Sequence, residues 1–200
     1  MAKIKLSKNE LKKQKDALKM YQRYLPTLML KKQQLQMEIR LTELRINELH
    51  NEKEKLEEAF KSWIGVFGET GIFTAGLLKI TNVKTGEGNI AGVTIPIFED
   101  VGFEVLPYDL LRTPLWLDAA IDKMKQTIVL DIKAQIYEEQ RRRLAHELRI
   151  TTQRVNLFEK IKIPETKLNI KKIQVYLGDQ QTAAVVRGKI AKAGLEKAAQ

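Results

Sequence analysis

Apolar residues recur along the first third of the chain at alternating steps of three and four: Leu11, Gln14, Leu18, Tyr21, Leu25, Leu28, Lys32, Leu35, Ile39, Thr42, Ile46, Leu49, Lys53, Leu56, Phe60, Trp63 and Phe67. Thirteen of these seventeen positions are apolar. A 3.5-residue repeat sustained this long predicts a single helix whose one stripe stays against a partner helix. The same texture returns at Leu117, Ile121, Met124 and Ile128, loosens between Val129 and Ile136, and resumes through Leu144, Leu148, Val155 and Phe158. That predicts a second helix with a change of register rather than a break. The expected fold is mainly α, a long antiparallel two-helix coiled coil.

Punctuation supports this division. Ser7-Lys8-Asn9-Glu10 is a capping box for the first helix, which from Ser7 to Phe67 would run about 90 Å. Pro26 is expected to interrupt and bend it, and the glycines at 65, 68, 71 and 76 to end it. Thr113-Pro114 reads as an N-cap followed by proline at the first helical position, and Pro164 is expected to kink this arm as well. Between the arms the texture changes. Lys79–Val83 reads as a strand, Lys84–Gly88 as a turn and Asn89–Ile95 as a second strand closed by Pro96, with a third from Phe98 to Val105. The expected organisation is an N-terminal coiled-coil arm over 1–67, a connector with a small β-hairpin over 68–112, and a C-terminal coiled-coil arm over 113–200.

Two arms of this length leave no large central core in which to build a catalytic pocket. The absence of cysteine removes disulfides, thiolate metal sites and cysteine nucleophiles. No apolar signal segment or membrane-length run is visible, so the expected location is cytoplasmic. The net charge of +10 is unevenly spread. Residues 1–33 carry +8 and residues 140–200 carry +9, leaving 34–139 at −7. Folded back on itself, such a chain would be a rod with both basic ends at one tip.

Tests for chemistry give little. The glycines from 65 to 71 lack the Gly-Lys-Ser/Thr ending of a phosphate loop, and Gly188-Lys189 is followed by Ile190. His50 and His146 lie on different arms, so no metal site is expected. Arg141-Arg142-Arg143 fits either a nucleic-acid track or a face docking on an acidic protein. The sparse aromatic residues near it favour the protein. Lys32 and Lys53, inside the stripe, read as register-setting or snorkelling positions.

Thr151-Thr152-Gln153-Arg154-Val155-Asn156-Leu157-Phe158-Glu159, followed by Ile163-Pro164, resembles the signature of the D subunit of V-type (archaeal/vacuolar-type) ATPases. Gly92-Val93-Thr94-Ile95-Pro96 looks like that family's Gly-Val-x-x-Pro strand, and Leu28-Met29-Leu30-Lys31-Lys32 like its N-terminal element. The chain departs from the pattern at Pro26, at Gln33-Gln34 and over 179–184, which marks a divergent branch. The resemblance spans nearly the whole chain. It implies a non-catalytic central-stalk rotor shaft that binds no nucleotide or cofactor. It also implies the F subunit, the A and B head subunits and the C (or d) subunit above the membrane ring as partners, with no direct membrane insertion and a location on the soluble sector. The residues expected to carry the family motif are Thr151, Thr152, Arg154, Val155, Asn156, Glu159, Ile163 and Pro164, with Gly92, Val93 and Pro96 in the hairpin. Arg141, Arg142, Arg143, Val185, Val186 and Ile190 are the candidates for head contact. A basic coiled-coil nucleic-acid-binding or scaffold protein is the alternative.

Overall fold

The computed structural model describes residues 4–61, 77–109, 113–114 and 116–198. Helix α1 spans Lys8–Lys61, strands β1 and β2 span Leu78–Ile90 and Val93–Val105, and helix α2 spans Trp116–Asn156. A π-helical turn over Leu157–Lys162 then leads directly into helix α3, Ile163–Ala198. The fold is mainly α, an antiparallel helix pair with a β-hairpin between its arms. Phe60, Trp63, Phe67 and the glycines from 65 to 76, placed by the sequence at the end of the first arm, lie outside the described side chains.

The chain divides into two units, one of residues 33–149 and one of residues 1–32 with 150–200. In both, the heptad stripe is the buried face. Every stripe position from Leu11 to Leu56 is buried or half-buried. In the unit of residues 33–149, Lys53 Nζ lies 2.7 Å from Asp131 and Arg141 lies 3.9 Å from Glu43. Ten residues back along α1 thus match ten forward along α2, which is antiparallel pairing. From within the stripe Lys53 thus carries its ammonium out to a carboxylate of the opposite arm. Its ammonium is held above its ordinary pKa first by the hydrogen bond to Asp131. Both partners are partly exposed, so the pair contributes specificity more than stability.

The hairpin is longer and simpler than its sequence suggests. Lys84–Gly88 is not a turn but part of β1, and Phe98–Val105 is not a third strand but the continuation of β2. Two shifts of register, between Ile80 and Asn82 and between Lys84 and Thr85, absorb the irregular spacing that makes the sequence look broken there. The turn falls at Ala91-Gly92, whose φ of 51° and 80° are the positive values a two-residue hairpin loop demands. Asn89 Oδ1 accepts the Gly92 N–H at 3.0 Å. Pro96 does not end β2. It pairs with Glu87 within a two-stranded ribbon, where an outer edge needs no donor.

Two apolar clusters hold this ribbon to the helices. At its tip Ile95 packs with Leu35 of α1 and Leu144 of α2, flanked by Ile39, Ile90, Ala91, Val93 and Leu148. At its base Leu77 packs with Leu117 and Ile121, flanked by Leu78, Val105, Tyr108 and Trp116. From Ile121 to Leu144 the helix rises about 35 Å, close to the roughly 40 Å spanned by each strand. The hairpin thus lies along α2, with Lys133 Nζ 5.1 Å over the Phe98 ring between the two clusters. This explains why the stripe loosens between Val129 and Ile136. That stretch of α2 has the hairpin as a second neighbour, so its half-buried positions spread around the helix and no break or irregular turn occurs there.

Helix punctuation is partly as expected. Ser7 Oγ accepts the Glu10 N–H at 3.2 Å, but the Glu10 carboxylate turns to Gln14 Nε2 at 2.9 Å, so only half of the capping box forms. Pro26 does not interrupt α1. It sits on the exposed face, where solvent can take the carbonyl that it leaves without a donor. On the return arm α2 begins at Trp116, with the Leu117 N–H bonded to the Pro114 carbonyl.

Leu35 and Leu144 are fully buried and are shared by helix pair and hairpin. Leu144→Ala is expected to lower stability by about 2–5 kcal/mol, measured by urea unfolding. Protease cleavage within the hairpin should rise with it, since the same side chain seats Ile95.

Candidate docking surfaces

The arginine run of α2 touches the hairpin through Arg143, while Arg141 reaches Glu43 of α1 and Arg142 is exposed. Arg143 Nη1 donates to the Thr94 carbonyl at 3.2 Å, and the buried Gln140 donates Nε2 to the Pro96 carbonyl at 2.6 Å. Gln140 carries no sequence signal of this role. It lies beside the stripe, where a polar side chain reads as solvated. The three guanidiniums are also ion-paired. Arg141 reaches Glu138 at 2.8 Å, and Arg142 makes a two-pronged contact with Glu139 at 2.7 and 2.9 Å. Arg143 Nε bonds the same Glu139 at 2.8 Å. These bonds, that of Arg142 first and then that of Arg143, push the Glu139 carboxyl down to about 2. Charge counting groups the arginines with the basic C-terminal arm. The structure places them in the unit of residues 33–149 with the hairpin tip, where Gly92 forms the turn and Val93 packs half-buried.

The motif on the return arm splits by face. Thr151 and Val155 are buried in the stripe, Thr152 and Ile163 are half-buried, and Arg154, Asn156, Glu159 and Pro164 are exposed. Phe158 meets Tyr21 of α1 with ring centroids 5.2 Å apart. The motif ends in the π turn, whose last bond runs from the Ile163 N–H to the Phe158 carbonyl. Pro164 gives the physical reason. Its ring crowds the carbonyl four residues back and it offers no N–H, and a wider turn just before it relieves both. The expected kink is thus an insertion within a continuous helix. Further along α3, Ile173 is the last buried residue with a described side chain, and Val185, Val186 and Ile190 are all exposed.

His50 and His146 line separate depressions, the first with Asp131 and Glu138, the second with Val93 and Glu147. Among the described residues no group of three or more His, Cys, Asp or Glu could hold a metal ion. No described helix is long and apolar enough to cross a membrane.

Fold and motif together define a class of protein: an antiparallel coiled coil of two long arms with a β-hairpin inserted between them. Residues 10–193 match the family of the ATP synthase D subunit, and the chain belongs to that family. It is 54% identical over 197 residues to the V-type ATP synthase D subunit of Borreliella burgdorferi, covering 98% of this chain and 97% of that one. It is 34% identical over 201 residues to the V-type ATP synthase D subunit of Chlamydia pneumoniae, covering 96% and 93%. It is also 34% identical over 197 residues to the Chlamydia muridarum counterpart, covering 97% of each.

The Glu139 carboxyl is lowered from 4.5 to about 2. A depressed carboxyl contributes stability that is present above its unfolded value and lost as pH falls through its folded value. The Glu139 pairs with Arg142 and Arg143 are therefore expected to hold into mild acid, their contribution to stability falling away below about pH 4.5 and gone once pH passes about 2. A carbon-detected NMR titration of Glu139 would show this, with Arg142→Gln returning the midpoint upward.

Proposed function

We propose that this chain is the non-catalytic central-stalk rotor shaft of a V-type rotary ATPase/ATP synthase, transmitting torque between the A/B catalytic head and the membrane ring. The observation that carries the reading is the near full-length match to the D-subunit family, on a fold of two long helices paired along one stripe. Each stripe contact resists sliding and twisting of one arm past the other, the mechanical property that a torque-bearing element requires. The F subunit and the C (or d) subunit above the ring are the further partners of this reading. ATP chemistry belongs to the head, and this chain contributes asymmetry, presenting different faces to equivalent catalytic interfaces as it turns.

The alternative of a nucleic-acid-binding coiled coil draws on Arg141–Arg143. Those side chains are engaged with Glu138, Glu139 and the hairpin backbone, an arrangement that suits internal bracing better than a free phosphate track.

The head contact in this reading falls on the end of α3. Beyond Ile173 only Leu177 and Ala183 are even half-buried among the described side chains, so the exposed Val185, Val186 and Ile190 are available to surrounding subunits. Deleting Arg187–Gln200 is expected to leave the arms paired and the F subunit bound, because few of the chain's own contacts are lost. Coupling should weaken, with ion transport falling several-fold relative to ATP hydrolysis in the reconstituted complex. Loss of F binding on truncation would mean that the reading misplaces the head contact.

A further inference from the structure

In the unit of residues 1–32 and 150–200, four large apolar side chains stand exposed beside the Tyr21–Phe158 contact: Met20 at 47%, Tyr24 at 53%, Leu157 at 39% and Ile161 at 53%. Their heptad places are not random. With Leu18 and Leu25 at a and Tyr21 at d, Met20 falls at c and Tyr24 at g. With Val155 at a and Phe158 at d, Leu157 falls at c and Ile161 at g. Positions c and g are about 40° apart on one flank of a helix. The pair Leu157 and Ile161 stays on that flank through the π turn, because four residues complete about one turn in either geometry.

In an antiparallel pair the e positions of the two arms share one side and the g positions share the other. The unit of residues 33–149 displays this rule. There the e positions Glu43 and His50 of α1 line a single depression with the e positions Asp131 and Glu138 of α2. By the same rule Met20 and Tyr24 lie on the same side as Leu157 and Ile161, and the 5.2 Å ring contact sets the two pairs level. The π turn buries none of its own residues, and while Phe158 packs on Tyr21, Leu157 and Ile161 are left exposed, open to something outside this chain.

We propose that Met20, Tyr24, Leu157 and Ile161 form a docking face for one amphipathic helix of a partner subunit, with acidic residues along that helix's edges. The patch has two apolar residues on each of two parallel tracks, a shallow groove that takes a helix at i, i+3, i+4 spacing. Charge selects the occupant. The flanks carry Lys13, Arg23, Arg154 and Lys160 against Asp16 and Glu165. A second copy of this chain would set like charge against like, which costs affinity, whereas an acidic-edged helix is attracted and oriented. The proposal rests on the chain working within a multi-subunit assembly and does not depend on its turning.

The test is site-directed photocross-linking in the assembled complex. Leu157→p-benzoylphenylalanine, and separately Met20→p-benzoylphenylalanine, would be introduced into the full chain co-expressed with the other subunits of the V-type ATP synthase. The complex would be purified and irradiated, and its cross-linked peptides mapped. Both positions are exposed, so the substitutions should not disturb folding. Both should capture the same helical segment of one partner, with Asp or Glu flanking its apolar face. Arg154→Glu combined with Lys160→Glu should reduce the yield several-fold, as should added salt. An intact complex with no cross-link at either position overturns the proposal, and so does capture of a second copy of this chain, of nucleic acid, or of a basic segment. Failure of the unsubstituted chain to enter the complex would overturn the rotor reading and this proposal together, whereas an intact complex without cross-links overturns this proposal alone.

Discussion

The packing of Ile95 between Leu35 and Leu144 is the contact on which the unit of residues 33–149 depends. An isolated two-stranded ribbon is marginal in water, and a two-helix pair leaves much of each helix uncovered. Each element supplies what the other lacks. The helices give the hairpin an apolar floor, and the hairpin covers one side of the stripe at two fully buried leucines. The base cluster around Leu117 and Ile121 then fixes the ribbon's other end. Gln140 and Arg143 satisfy the β2 carbonyls on either side of Ile95, so the hairpin tip is held by position-specific bonds as well as by apolar area.

The helices were legible in the sequence because a coiled-coil stripe is a local periodic signal that needs no knowledge of the partner. All its described positions on α1 proved buried or half-buried. The hairpin was legible in kind but not in extent. Glycine, threonine and proline mark turns when each residue is read locally, yet in a two-stranded ribbon Gly86 and Gly88 leave room for Glu99 and Ile97 across the ladder, and Pro96 occupies an outer edge. The docking residues were less legible still. Arg141–Arg143 announce charge, but their partners Glu138 and Glu139 lie one turn earlier on the same helix, so the run carries less free charge than its sequence implies. Gln140 was invisible, because its partner is a backbone carbonyl forty-four residues away.

Proline shows how context decides what one residue type does. Pro26 lies on an exposed face in the middle of α1, where solvent can compensate a missing hydrogen bond, and the helix continues. Pro164 is exposed as well, yet there the chain answers with a π turn, closed by the Ile163 N–H on the Phe158 carbonyl. Sequence alone gives the same reading for both residues.

The insertion also changes what the arm presents. An added residue in the helical path shifts the phase of everything beyond it, so the stripe that buries Thr151, Val155 and Phe158 at least in part is carried forward by Thr166 and Ile173. Within the turn no residue is buried, although Leu157, Phe158 and Ile161 are among the most apolar side chains of the arm. A free-standing protein would gain little by placing leucine and isoleucine there, since exposed apolar area invites association. A subunit gains an interface, and the cost of exposure ends when its partner arrives. The same argument covers Val185, Val186 and Ile190, which lie beyond Ile173, the last buried residue among the described side chains of α3. Membership of a multi-subunit family and the distribution of exposed apolar side chains are thus two readings of one physical fact: this chain does not bury its own surface completely.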